Sequence, residues 1–199
     1  LFDSSGHCHC HWMIRGILDK LNLKDDDDCG GGGGGSISHL YMFNKNELCK
    51  FLVKAKKSTY AASDSAEKTI NEDKSTTLIF ESGDWKYHDN YFGGEPYGGR
   101  EVVFFKGEPI YIMVYYGLVD ESVSDHNKVY GILMNALKLI PKDKPYRGPE
   151  KYDEDVLSYS NSFTGEVDNF SGEEIITENG KEIYQAKYIG GFVDQRKEV

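Results

Sequence analysis

The sequence predicts an internally duplicated α+β fold: a helix plus three antiparallel strands, then the same again about a pseudo-two-fold, with the helices packed on the sheet. Three observations carry this. Residues 99–117 align with 172–190 without a gap: Glu101 matches Glu174, Val102-Val103 matches Ile175-Ile176, Gly107 matches Gly180, Ile110-Tyr111 matches Ile183-Tyr184, Tyr115 matches Tyr188 and Gly117 matches Gly190. An apolar stripe at helical spacing precedes each copy. Lys106-Gly107 and Asn179-Gly180 sit at the centre of each copy, where a two-residue hairpin turn needs positive φ.

In chain order, residues 1–29 read as a tag-like or tethered-peptide leader, with His7-Cys8-His9-Cys10-His11 near its start and an acidic tetrad at 25–28. Structural zinc sites separate their ligands so that a turn can wrap the ion, and strict alternation points neighbours apart, so no metal site is read there. Residues 30–36, six Gly and a Ser, form a flexible linker. The duplicated domain then occupies 37–199. Asn44 or Asn46 caps a helix running to about Thr59, with Leu48, Phe51, Leu52 and Ala55 on one stripe and Lys50, Lys54 and Lys57 facing water. Residues 63–74 are polar and aperiodic and read as a mobile loop. One strand near 77–81, extending to Tyr87, precedes the first hairpin. Ser124 caps the second helix, whose stripe is Val129, Leu133, Leu137 and Ile140 before Pro141 stops it. A strand near 156–160 precedes the second hairpin.

The chain has 199 residues and a formal charge of −10, which argues against a surface built to neutralise phosphates and so against direct nucleic-acid binding. No apolar run approaches the roughly 18 residues that cross a bilayer, so no membrane partner is expected. Cys49 is the one thiol outside the leader, so no disulfide framework is implied and a cytoplasmic setting fits. Walker loops, G-x-S-x-G elbows and H-E-x-x-H motifs are absent from the sequence, and no catalytic residue or cofactor is read from it.

Four separated stretches carry a family likeness: the helical run from Phe51 to Ala61, then Gly83-Asp84-Trp85-Lys86-Tyr87-His88-Asp89-Asn90-Tyr91-Phe92-Gly93-Gly94, Tyr115-Tyr116-Gly117 and Tyr146-Arg147-Gly148-Pro149. Over about 46–193 the chain resembles an uncharacterised bacterial domain of unknown function often found C-terminal to repressor-type helix-turn-helix regulators. The resemblance implies a regulator-like setting and carries no activity with it. The doubled layout is also similar to effector-binding domains in which two related halves enclose a ligand cleft, an analogy of fold alone.

The chemistry concentrates in the aromatic-rich stretch 78–119. Strand alternation puts Trp85, Tyr87, Asp89 and Tyr91 on one face, a carboxylate among rings that suits a cationic or polar aromatic small molecule. Glu101 and Glu174, alike in the two copies, are expected to face each other across the pseudo-axis, with Tyr115 beside Glu101. Arg147 is expected to bridge the halves through Asp89 or Glu101. The candidate ligand-binding set is therefore Trp85, Tyr87, Asp89, Tyr91, Glu101, Tyr115, Arg147 and Glu174. These residues predict a small-molecule sensing or effector-binding domain with an aromatic and acidic cleft, a homodimer being compatible with it. The alternatives are a hydrolase-like enzyme using Glu101 or Asp89 as general base, and a protein-interaction module.

Overall fold

The computed structural model describes residues 43–59 and 67–194. The leader and linker expected at 1–36 lie outside the described residues. Among the described residues, two helices, α1 (Lys45–Ser58) and α2 (His126–Lys138), accompany nine strands: β1 (Thr69–Ile70), β2 (Thr76–Ser82), β3 (Trp85–Gly93), β4 (Tyr97–Phe105), β5 (Glu108–Val119), β6 (Lys151–Glu154), β7 (Leu157–Glu166), β8 (Asn169–Glu178) and β9 (Lys181–Phe192). All nine join one antiparallel sheet in the order β1-β2-β3-β4-β5-β9-β8-β7-β6.

This corrects the predicted α+β class. The molecule is dominated by a single wide sheet, and its two meanders are each longer than a three-strand unit. The reason lies in turns too small to be seen as breaks in a β-rich run. Ser82 pairs with Trp85 across Gly83-Asp84, with Gly83 at φ 61°, so the strand expected to continue to Tyr87 is in fact β2 and β3. Glu154 likewise pairs with Leu157 across Asp155-Val156, with Asp155 at φ 55°, which creates β6. Asp tolerates the left-handed region because its short side chain can bond locally to the backbone. The loop expected at 63–74 is corrected in its described part: β1 and an ordered turn occupy it, the Asn71 side chain donating to Ser75 Oγ (2.9 Å) and Thr77 Oγ1 (2.8 Å).

Asn44 does cap α1, its side chain accepting from the Asn46 N–H at 2.8 Å. In α2 the cap is Asp125, which accepts from the Asn127 and Lys128 N–H groups, and Ser124 is one residue too early. The α1 stripe packs with Tyr87, Val103, Tyr111, Met113 and Tyr115, while Val129, Ile132, Leu133, Ala136 and Leu137 of α2 pack with Val119, Tyr159, Ile176, Tyr184 and Ala186. Because Tyr115 pairs with Tyr188 and Val119 with Tyr184, these two clusters lie on the same face of the sheet. The opposite face carries Val114, Tyr116, Leu118 and Ile189, each more than two-fifths exposed. Among the described residues, no helix is long and apolar enough to cross a membrane.

Candidate functional site

β3, β4 and β5 bring Asp89, Glu101 and Tyr115 onto the helix-covered face of the sheet, because Asp89 opposes Glu101 and Glu101 opposes Met113, two residues from Tyr115. Their surroundings are dry: Asp89 is 3 % exposed and Glu101 and Glu174 are 0 % exposed. Ionised carboxylates cannot be held there without partners. Glu101 is served from α1, whose Lys56 Nζ lies 2.7 Å from Oε2 and donates to the Tyr146 carbonyl at 2.6 Å. Glu174 is served by Arg147, whose Nε donates to Oε2 at 2.7 Å, and by the Tyr159 hydroxyl on Oε1. Asp89 accepts from the Tyr115 hydroxyl at 2.6 Å and has no ion pair of its own among the described residues.

These environments move the titrations. Burial, reinforced by the charge of Glu101, pushes Asp89 up from 3.8 to about 7, against the opposing pull of Tyr115, Lys56 and Arg147. Burial pulls Lys56 below its ordinary 10.5 although Glu101 favours its charged form. Tyr115 is pushed up by burial and by the adjacent Asp89 charge, which keeps its hydroxyl a donor.

A cavity of about 400 Å³ opens beside Asp89, within the range of small-molecule pockets. Asp89, Tyr91, Tyr115 and Arg147 form its polar side, and Leu78, Leu133, Met134 and Leu137 its apolar side. Tyr97, Tyr130, Lys68, Gly93 and Gly94 complete the wall. The guanidinium of Arg147 sits over the Tyr115 ring, 5.7 Å from its centroid. Tyr130 ties α2 to the β3–β4 turn by donating to the Gly94 carbonyl (2.9 Å) and to the Glu95 carboxylate, whose other oxygen accepts the Val119 N–H at 2.6 Å. The wall between helix and sheet is therefore cross-linked by hydrogen bonds.

Of the eight residues singled out from sequence, Asp89, Tyr91, Tyr115 and Arg147 meet at this cavity, with Glu101 and Glu174 buried behind them as counter-charges. Trp85 and Tyr87 do not join them. They share the predicted face of β3, but Trp85 is four residues from Asp89, about 13 Å at strand rise, and sits under α1. There it stacks on Phe51 at 5.4 Å and packs against Phe105 at 4.6 Å, while Tyr87 is wholly buried in the same core. The expected Glu101–Glu174 confrontation is also corrected. β5 and β9 lie between their strands, a lateral separation of about 14 Å, and each acid has its own cation. Arg147 pairs with Glu174 rather than with Asp89 or Glu101.

Sequence reasoning missed Tyr97, Tyr130, Lys68 and the α2 side chains Leu133, Met134 and Leu137, and it missed Lys56. Lys56 had one available signal: it sits one position from Ala55 on the apolar stripe, where a lysine needs a buried acid.

The grouping around Asp89 recurs in the other meander. Asn161 on β7 opposes Glu174, and it accepts from the Tyr188 hydroxyl at 2.7 Å as Asp89 accepts from Tyr115. The glycines Gly99 and Gly172 leave the space these tyrosines cross, since an added Cβ would lie 2.7 Å from the Tyr115 hydroxyl and 2.3 Å from that of Tyr188. Asn161 differs in being tied off: its amide also donates to the Gly148 carbonyl at 2.9 Å.

The fold and site thus define a sheet-dominated domain whose tyrosine-lined cavity holds a buried acid without an ion pair among the described residues. Over residues 89–193 the chain matches the family described as Domain of unknown function (DUF5680), and it belongs to that family. No curated protein and no solved structure matches it.

Proposed function

We propose that the cavity between α2 and the sheet binds a small molecule, cationic or polar aromatic in character, and that the domain is a sensing or effector-binding module built by duplication of one helix-and-meander unit. The parallel placement of Glu101 with Glu174, Asp89 with Asn161 and Tyr115 with Tyr188 supports the duplication. The observation that carries the binding reading is Asp89, a 3 % exposed carboxyl at the wall of a tyrosine-lined cavity with one donor among the described residues. Polar groups buried at that cost are kept where something is recognised.

The test is a melting screen at millimolar ligand with aromatic amines (tyramine, tryptamine, benzamidine) and the neutral alcohols tyrosol and tryptophol. A bound molecule raises Tm in proportion to RT ln(1 + [L]/Kd). At least one member is expected to shift Tm in a saturable way, and Met134→Trp, which fills the apolar side, is expected to abolish the shift. Silence from every member, or a shift that survives the filled cavity, overturns the reading.

A second reading, a protein-interaction module that includes a homodimer, draws on the uncovered sheet face bearing Val114, Tyr116, Leu118 and Ile189. Sedimentation of the wild-type chain against Ile189→Lys tests it: a dimer that the lysine dissolves supports it, and a monomer at every concentration removes the homodimer.

A further inference from the structure

Among the described residues, three buried acids share the covered face of the sheet, and two are neutralised where they stand: Glu101 by Lys56 and Glu174 by Arg147. Asp89 is the third. The groups facing it are Glu101 on β4, Tyr115 on β5, Lys56 on α1 and Arg147 in the segment before β6, with Tyr130 of α2 and Lys68 farther along the cavity wall. Both buried cations among these are already engaged by a glutamate, so the cluster carries, among the described residues, one acid more than it has buried bases.

The second meander supplies a control within the same chain. Its Asn161 has the same tyrosine donor and the same opposing glutamate, yet it is a neutral amide whose remaining hydrogen bond goes to the Gly148 backbone. An amide therefore satisfies this position of the fold. An acid placed there, beside a cavity, brings only a charge that needs a partner.

Resting on the small-molecule reading above, we propose that Asp89 is the specificity-determining residue of the cavity, that it selects a ligand with a single cationic nitrogen bearing N–H groups, and that capture of this cation drives the proton off the Asp89 carboxyl into solvent. Without ligand the carboxyl lowers its own cost by holding a proton near neutrality. An ammonium or amidinium lodged against it replaces that proton, so up to one H⁺ leaves for each cation bound, the full proton on the acidic side of about pH 7. The tyrosine rings, which present negative faces to a cation, add selectivity for the same charge.

The experiment uses calorimetric titration of tyramine and of its neutral counterpart tyrosol from about pH 5 to about pH 8, in two buffers of different ionisation enthalpy. Tyramine stays cationic throughout, so any pH dependence belongs to the protein. Its affinity is expected to rise by up to about tenfold per pH unit on the acidic side and to level off above about 7, with proton release falling away over the same interval. Tyrosol is expected to show neither effect. Asp89→Asn, the residue the other meander already uses, is expected to fold normally, to lose the preference for tyramine over tyrosol and to lose the pH dependence. If Asp89→Asn binds tyramine as tightly as wild type, or if wild-type affinity is flat with no proton released, the proposal falls while the cavity reading stands. If neither compound binds the wild-type chain, the same titration is run with the member that shifts Tm in the screen, and a neutral member binding where every cationic one fails overturns the proposal while the cavity reading stands.

Discussion

At the scale of single residues, Asp89 makes a stability prediction that needs no ligand. Its folded pKa of about 7 lies above the ordinary 3.8, so between those values the native state holds a proton that the unfolded chain has released. Stability from this group is therefore full below about pH 4, declines as pH rises and is lost above about pH 7, a total on the order of a few kcal/mol. The Tm of Asp89→Asn relative to wild type is expected to grow between pH 5 and pH 8, as read by thermal melts across that range. Glycines give a contrasting pair. Gly172→Ala would set a Cβ 2.3 Å from the Tyr188 hydroxyl and 2.8 Å from the Ser162 carbonyl oxygen, and a loss of about 1–3 kcal/mol is expected in urea unfolding. Gly131→Ala, exposed on α2 with nothing within 4 Å, is expected to gain about 0.5–1 kcal/mol. At this scale the sequence revealed Asp89, Tyr91, Tyr115 and Arg147, because acid among rings and an isolated arginine stand out in a line of text. It could not reveal Tyr130 or Met134, whose approach to Asp89 depends on where a helix lands.

At the scale of elements, α1 is held to the sheet by an apolar stripe and by one charge driven through it. Lys56 is 0 % exposed and joins Glu101 of β4 to the Tyr146 carbonyl, so it clamps three parts of the chain. Removing one partner of such a pair leaves the other charged in a dry site. Lys56→Met is expected to cost about 3–5 kcal/mol in urea unfolding, and Lys56→Met with Glu101→Leu to recover most of it. A double variant as weak as the single one would mean that the lysine acts mainly through Tyr146. The helices were readable to within a residue or two because stripe and cap coincide. The strands were less so, since β6 has only four residues and Gly83-Asp84 takes just two residues out of a continuous β-prone run. The hairpins at Lys106-Gly107 and Asn179-Gly180 were legible because the turn itself demands those residue types, with Lys106 at φ 53° and Asn179 at φ 50°.

At the scale of the whole molecule, the repeat visible in the sequence did not disclose that two meanders merge into one sheet through the β5–β9 pairing. Backbone pairing between strands so far apart in the chain leaves no local pattern to read. The merged sheet has only two edges, and both are short: β1 with two residues and β6 with four. Short edges offer little template for another chain. The long strands are kept inside, and the longest two meet at the middle.

That meeting has a consequence for how the protein comes into being. Of the described strands, β9 is the last to leave the ribosome, and it takes its place at the centre, between β5 and β8. Until then β5, paired on one edge with β4, offers its other edge along residues 111–119, with Tyr111, Met113 and Tyr115 on one face and Val114, Tyr116 and Leu118 on the other, to any nascent neighbour. A chain ended at Gly180 is expected to accumulate in the insoluble fraction rather than as a smaller soluble domain, and adding a synthetic peptide of residues 181–194 during refolding is expected to recover part of it. The twelve residues of β9 thus decide whether the strands made before it stay out of aggregates.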